Sequence, residues 1–420
     1  MDYQDLLVQK SIYPSESDDY PIVFKYGQGA FLYDINGNKY IDFMNGKGNI
    51  ILGHNPKHLI AELIDFLKLG MDVRTGFTEV MFKFTHQINK ALGYDKIAYF
   101  KSGTEAVKAA MLSAKTYNSK KIILSCGYHG YDPIWKFSGN LEEFNKNGII
   151  NFFFDLELLE KLINKYKEQI SAIIISPDPL YLTKEWFDKL NSLIKESNVV
   201  MIMDEVKVGF RYNFGLYTSR YGLKPDIAII SKGIANGFPI SVVCGYKEMM
   251  EGCSNLNYTC FFDAITFFVA TKVMETLSKK DFYKVLNQVS LNLINTISSL
   301  IEQFELPIQI KHNGSIFQFI FPDQEASDVF FYESIQHGLI FYPGDNQCFS
   351  YAFNDQKVHL ELKRNFINLF KVIKKNPLFQ KGRKPTLEWE IKTAWYLMDG
   401  LPSIQINKEL KESILMSLPE

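Results

Sequence analysis

Two features of the sequence predict an α/β fold with a seven-stranded, mostly parallel sheet. Seven short apolar runs recur between residues 96 and 244: KIAYF, KIILSC, IINFFF, SAIIIS, VVMIM, DIAIIS and ISVVC. Helical patterns such as TEAVKAAMLSAKTY and TKEWFDKLNSLIKES lie between several of them. Strands that are aliphatic throughout need cover on both faces, and alternation with helices supplies it. Only KGIANGFP separates the last two runs, too little for a helical crossover, so that pair is expected to be antiparallel. With 420 residues, 46% of them hydrophobic, the chain can bury a large core and more than one lobe.

The first 55 residues read as a small β-rich element. GAFLYDINGNKYIDFM places two apolar runs around Asn36-Gly37, a hairpin signal in which both turn positions take positive φ. HLIAELIDFLKLG follows as a helix with Leu59, Leu63, Phe66 and Leu67 on one face. After the sheet region, one long helix is expected from about residue 265 to 304, then a smaller mixed region with IFQFIF as a strand. KKNPLFQKGRKP reads as a basic linker, with its KGRK run at 381–384 solvated. TLEWEIKTAWYLMDG then sets Leu387, Ile391, Trp395 and Met398 on one helical face, expected to dock on the body or on a partner subunit. The expected organisation is 1–55 as the N-terminal part of a small domain and 56–285 as the large domain. Residues 286–375 form the C-terminal part of the small domain, and 376–420 the linker and a helical extension.

Charge and cysteine content remove several function classes. Lys plus Arg number 46 against 47 for Asp plus Glu, a net charge of -1, so neither nucleic acid nor an anionic membrane is an expected partner. The five cysteines are scattered and form no CxxC pair, which argues against a disulfide framework and against a zinc site. The N-terminus lacks the basic-then-apolar pattern of a signal peptide, and no apolar run reaches the roughly 18 residues of a membrane helix. A cytoplasmic setting is expected. Gly27-Gln28-Gly29 does not extend to a dinucleotide fingerprint, and no Walker A sequence occurs.

Three stations carry chemistry. In YFKSGTEAVKAA a strand ends and Ser102-Gly103-Thr104 open a helix, where free amides and the helix dipole favour an anion such as a phosphate. Alone, that station reads equally well as an ordinary helix cap. In VVMIMDEVKVGFR, Asp204 and Glu205 follow an apolar strand at the edge where ligands bind in open α/β sheets. A carboxylate there needs a cationic partner, either Arg211 or a protonated heterocycle. In PDIAIISKGIANGFPIS, a buried strand delivers Lys232 among small residues, where desolvation would make its amine nucleophilic. Anion cradle, buried acid and strand-end lysine together match the requirements of pyridoxal 5'-phosphate.

SGTEAVKAA, CGYHGYDP, DEVKVGFR and KPDIAIISKGIANGFPIS resemble the fold-type I, class III pyridoxal-phosphate aminotransferases, closest in flavour to the glutamate-1-semialdehyde aminomutase branch. GQGAFLYDINGNKYIDF, ILGHNP and HGLIFYPGDNQCFSYAF match in order, so the resemblance spans roughly residues 20–375. It implies a small domain assembled from both chain ends, and Lys232 as the residue that holds the cofactor as a Schiff base and later shuttles a proton. It implies Asp204 on the pyridine nitrogen, Val206 on one ring face, Tyr128 stacked on the other, and His129 shaping that side. Ser102, Gly103 and Thr104 would bind the phosphate. Thr259 would reach the phosphate of the neighbouring subunit, which implies a homodimer.

The departures from the family concern substrate. The aminomutase Ser-x-x-Arg has no counterpart in SIYPSESDDYPIVF, and NGKGN carries Lys47 where the family has the tryptophan of GxWGP. Ser176-Pro177 stands for Glu-Pro, FFDAIT for the segment with GNP, and Gln347 for a glutamate. Glutamate 1-semialdehyde is therefore not the expected substrate, and Lys47, Arg74 and Gln347 are the candidate substrate contacts. Phe261 and Phe262 read as walls of the substrate side or as core, and His54 as a structural histidine. The expected reaction is amino transfer from an amino acid, L-glutamate by analogy, to an aldehyde or ketone of a sugar or specialised-metabolite type. An aminomutase, lyase or decarboxylase would use the same Lys232 and Asp204, and a non-catalytic scaffold is the remaining alternative.

Overall fold

Alternation in the first described residues produces a short meander. In a computed structural model of the chain, which describes residues 22–71, 73–135, 148–257 and 259–386, strands β1 (Phe24–Gln28), β2 (Phe31–Asp34) and β3 (Lys39–Asp42) pair antiparallel. The β2–β3 turn departs from the expected geometry, because Gly37 takes positive φ (86°) and Asn36 does not. The Asp34 carboxylate does the work a second left-handed residue would have done, accepting the amides of Asn36 and Asn38 at 2.9 and 2.8 Å. The terminal helical face containing Leu387, Ile391, Trp395 and Met398 lies outside the described residues.

Seven strands build the second sheet: β4 (Lys96–Phe100), β5 (Ile122–Cys126), β6 (Ile149–Asn151), β7 (Ile170–Ile175), β8 (Val200–Asp204), β9 (Ile227–Ile230) and β10 (Ser241–Gly245). Their spatial order is β4-β10-β9-β8-β7-β5-β6. Pairs β5–β6, β5–β7, β7–β8 and β8–β9 are parallel, while β10 runs antiparallel to both β9 and β4. Two reversals restore the original direction, so β4 ends at the same edge as β9. The carboxyl ends of β4, β5, β7, β8 and β9 thus converge, and every cofactor candidate except Thr259 ends one of these strands or follows closely after it. Helix Gly103–Asn118 covers one face through Ala106, Val107, Ala110 and Ala114, packed with Ile174, Ile202 and Ile229. Its small residues let helix and sheet approach closely.

The long helix expected after residue 265 is two helices, Ala264–Leu277 and Phe282–Gln303. The polar run Ser278-Lys279-Lys280-Asp281 interrupts the apolar repeat, and the chain turns there, with Phe282 N–H donating to Lys279 C=O. Strands β11 (Gln309–Asn313), β12 (Ile316–Ile320), β13 (Leu339–Ile340) and β14 (Gln347–Cys348) follow: β13 joins β3 in parallel and extends the first sheet, while β11, β12 and β14 form a third, antiparallel one. The apolar centre here is phenylalanine-rich, with Phe43 stacked on Phe341 at 4.5 Å and Phe317 stacked on Phe349 at 4.7 Å. The chain divides into two compact units, Met1–Ile60 with Lys284–Trp389, and Ala61–Tyr283 with Glu390–Glu420. The segment read as a solvated linker is anchored: Arg383 pairs with Asp323, Lys381 pairs with Glu305, and Thr386 N–H donates to Phe321 C=O.

Candidate active site

The edge at which five strands end gathers the residues singled out by sequence. After β4, Ser102 caps the helix through a reciprocal box: its Oγ accepts the Glu105 amide at 3.3 Å and its own backbone N–H donates to Glu105 Oε2 at 2.8 Å, to which Oγ also donates at 3.0 Å. The Ser102 hydroxyl proton is therefore spent on Glu105, the ordinary cap function. The first amides of the helix, at Gly103 and Thr104, have no carbonyl one turn back to bond, and they form the positive end of its dipole. A Cβ at Gly103 would lie 3.2 Å from both Val206 methyls, a tight contact that Val206 would have to yield to by a few tenths of an ångström. Val206 and the mouth of the cradle are thus in contact.

The loop after β5 closes over the same corner. Tyr131 N–H donates to Thr104 Oγ1 at 3.1 Å, and Gly130, at φ 91°, passes so close that any Cβ would overlap that hydroxyl. Gly130→Val combines left-handed strain with this overlap. It is expected to lower stability by about 2–4 kcal/mol and to weaken phosphate retention, which urea denaturation and a cofactor titration would measure. Tyr128, two residues before this glycine, is 37% exposed. His129 is buried, and its Nδ1 lies 2.9 Å from Asp204 Oδ2. Asp204, 3% exposed, also accepts the Val206 amide at 3.2 Å through Oδ1. His129 is thus a protein-side partner of this carboxylate, one that sequence reasoning does not offer.

Glu205 points away from Asp204 into a different task. It is fully buried and accepts from Tyr217 N–H, from Thr218 N–H at 2.9 Å and from Thr218 Oγ1–H at 2.5 Å. Burial pushes its carboxyl up to about 7 against these three donors, with the Asp204 charge adding to the shift. Sequence placed Glu205 at the functional edge beside Asp204 but gave it no role of its own. The signal was present, since β8 must alternate sides even where its apolar run hides the period.

Lys232 opens a short 3-10 turn, Lys232–Ala235, at φ 49°, an unusual conformation for a residue with a Cβ. The preceding Ser231 is fixed by Oγ bonds of 2.7 Å to Ile240 C=O and from Ser241 Oγ. Thr259 is exposed. Lys101, just before the cradle, pairs with Asp263, which also caps helix Ala264–Leu277 through the Thr266 amide at 2.9 Å. This ion pair, unnoticed in the sequence, ties the cradle to the segment carrying Thr259. Phe261 is buried edge-on to Phe100 at 5.6 Å, a core position.

In the other unit, Lys47 occupies a left-handed turn over 45–48 with φ values of 46°, 59°, 58° and 83°. The turn is held by Asp42 Oδ1, which accepts the Met44 and Asn45 amides, and by Asn45 Nδ2, which donates to Cys348 C=O at 2.7 Å. The Lys47 ammonium sits 4.9 Å from the centre of the Tyr342 ring. Gln347 is buried, with its amide bonded to Tyr342 N–H, Tyr342 C=O and Asp345 C=O, so it shapes the turn that presents Tyr342. Arg74 is exposed, next to Val73, whose carbonyl accepts the Ala264 amide. His54 is structural as expected, 2.8 Å from Asp42.

The family model for class-III aminotransferases matches residues 12–133 and 140–358. The chain belongs to the class-III aminotransferase family. A relative from Streptomyces kanamyceticus, 2'-deamino-2'-hydroxyneamine transaminase, is 26% identical over 84% of this chain and 91% of its own length. The glutamate-1-semialdehyde 2,1-aminomutase of Hydrogenobaculum sp. is 30% identical over 73% of this chain and 79% of its own. Among solved structures, the internal aldimine form of the Sphingopyxis sp. FumI protein superposes with a TM-score of 0.79. It shares 20% identity and covers 88% of this chain and 94% of its own. The fold is that of this family.

The family's cofactor is pyridoxal 5'-phosphate, and the residues present fit it. The helix start at Gly103 is open by the width of a Cβ, and the amides there suit a phosphate. A buried carboxylate at Asp204 suits a protonated ring nitrogen, and Lys232 follows the adjacent strand. This is a PLP-dependent aminotransferase of the class-III family. It acts on small molecules, and no described helix is long and apolar enough to cross a membrane.

Proposed function

We propose that this chain forms a homodimeric, cytoplasmic aminotransferase that takes an amino group from an amino acid and delivers it to the aldehyde or ketone of a sugar-like or specialised metabolite. L-Glutamate is the proposed donor. The observation that carries the reading is the convergence of the Gly103 cradle, the Asp204–His129 pair and Lys232 on one sheet edge. When bound, the cofactor supplies an electron sink that stabilises charge at the substrate carbon. Asp204 holds a positive ring nitrogen in place. Gly103 and Thr104 amides anchor the phosphate, assisted by Thr104 Oγ1, while Ser102 caps the helix and would reach the phosphate only by giving up its bond to Glu105. Val206 and Tyr128 confine the ring from its two faces, and Lys232 takes and returns the proton at the substrate carbon. The exposure of Thr259 is consistent with its serving the partner's phosphate. Lys47 and Arg74 are the proposed anion contacts for substrate, with Gln347 acting through the turn that carries Tyr342. The neamine-type transaminase among the relatives supports a sugar-like acceptor.

The aminomutase relatives favour one rival, an intramolecular exchange of amino and carbonyl groups. The visible spectrum before and after L-glutamate distinguishes the two. Loss of the yellow band with stoichiometric 2-oxoglutarate is the expected result. A band indifferent to every amino-acid donor, with an amino aldehyde isomerised and no keto acid released, would replace transfer with the mutase reading.

A further inference from the structure

Lys101 stands between the end of β4 and the cap residue Ser102, two residues before the first amide of the cradle. Its backbone N–H donates to Glu105 Oε2 at 3.1 Å, and its ammonium pairs with Asp263. The Lys101 and Asp263 side chains are 20% and 9% exposed, so most of this pair is out of water. Both Asp263 oxygens are committed, Oδ2 to the ammonium and Oδ1 to the Thr266 amide at 2.9 Å, the cap of helix Ala264–Leu277. Beside the pair, Phe100 and Phe261 meet edge to face at 5.6 Å. The consecutive residues Phe100 and Lys101 are thus fastened to one short segment, 261–263, by one apolar and one charged contact. That segment is fixed in turn, since Ala264 N–H donates to Val73 C=O at 2.9 Å and Phe262 packs on Phe77 at 5.5 Å. FFDAIT is where the sequence departs from the family's GNP pattern, so the family's motifs do not account for the pair.

A lysine this close to a phosphate site has two ways to act. Its charge could attract the anion directly, or its position could set the amides that follow it. A desolvated carboxylate against the ammonium cancels most of the first effect and reinforces the second. We propose that Lys101 and Asp263 are positioning residues, whose ion pair fixes the Gly103 and Thr104 amides in the geometry that holds a phosphate. Two anchors then hold the cradle, the Lys101–Asp263 pair before it and Tyr131 N–H on Thr104 Oγ1 within it. The proposal rests on the cradle being a phosphate site, a part of the proposed function, and inorganic phosphate tests it without any amino transfer.

The test measures the dissociation constants of pyridoxal phosphate and of inorganic phosphate for the full chain, together with the urea midpoint, in Lys101→Met, Asp263→Asn and the double variant. Methionine keeps an apolar stem at 101, and asparagine keeps the helix cap at 263. Positioning predicts that each single change weakens both ligands by roughly tenfold and that the double change costs no more than either alone. Lys101→Arg keeps a cation for Asp263 and is expected to stay within about threefold of wild type. Opposite effects, weaker binding in Lys101→Met and tighter binding in Asp263→Asn, would show the two groups acting by charge and would overturn the proposal. Unchanged dissociation constants with a lowered urea midpoint would overturn it too, reducing the pair to fold stability. If Lys101→Met does not fold, the direction of change in Asp263→Asn decides alone. A wild-type chain that binds neither ligand would sink the cradle and this proposal together. Coupled losses in a protein that transfers no amino group would count against the proposed function and leave this inference standing.

Discussion

Lys232→Ala is expected to abolish amino transfer, with a loss on the order of 10,000-fold or more, while the protein still folds and still binds pyridoxal phosphate through its phosphate. The lysine is the proton carrier that the proposed reaction cannot replace. Alanine keeps the backbone conformation at φ 49° no worse than lysine does, since both carry a Cβ. A donor-dependent assay for 2-oxoglutarate, read beside the visible spectrum, measures both parts. Undiminished biological activity in this variant would install the non-catalytic scaffold in place of an enzyme.

Glu205→Ala should be the most damaging single change to stability on this edge. It strands the Tyr217 amide, the Thr218 amide and the Thr218 hydroxyl, all of which now bond the carboxylate inside the protein. The expected cost is roughly 3–5 kcal/mol, visible as a lower denaturation midpoint with unchanged slope. The same residue gives a pH signature. Burial raises its carboxyl from 4.5 in the unfolded chain to about 7 in the folded one. Between those values the unfolded state has released a proton that the folded state keeps, so stability falls as pH rises through this window and levels above it. The contribution is roughly 3 kcal/mol across the window. Glu205→Gln does not titrate, so it should lack this slope, and its deficit relative to wild type should shrink towards pH 7. Parallel pH curves for the two proteins would refute the assignment.

The adjacent carboxylates show where the limit of sequence reading falls. That Asp204 and Glu205 end a buried strand was legible, because five apolar residues in a row leave no solvent face. So was Lys232, since an amine delivered by DIAIIS to the edge of a core is costly unless it is paired or put to chemical use. The antiparallel final pair followed from loop length alone. The family resemblance assigned Asp204 to the ring nitrogen, but the task of Glu205 and the protein partners of both carboxylates were not legible. Asp204 meets His129, 75 residues away, and Glu205 meets Thr218, a segment with no marker of its own.

Local chemistry likewise determined the helix start at Gly103 and the strand count, both of which depend on residues close in sequence. The hairpin turn and the long helix were read less well. Asp34 replaced a backbone preference with side-chain bonds, and four polar residues divided the helix. The Lys101–Asp263 pair has no sequence signature. Partners 162 residues apart become visible only when strands separated along the chain end at a common edge. Sequence by itself determined what chemistry this edge carries, because reactive side chains and strand ends are local facts. The tertiary structure decided which groups hold that chemistry in place, because their contacts are long-range and are set by packing.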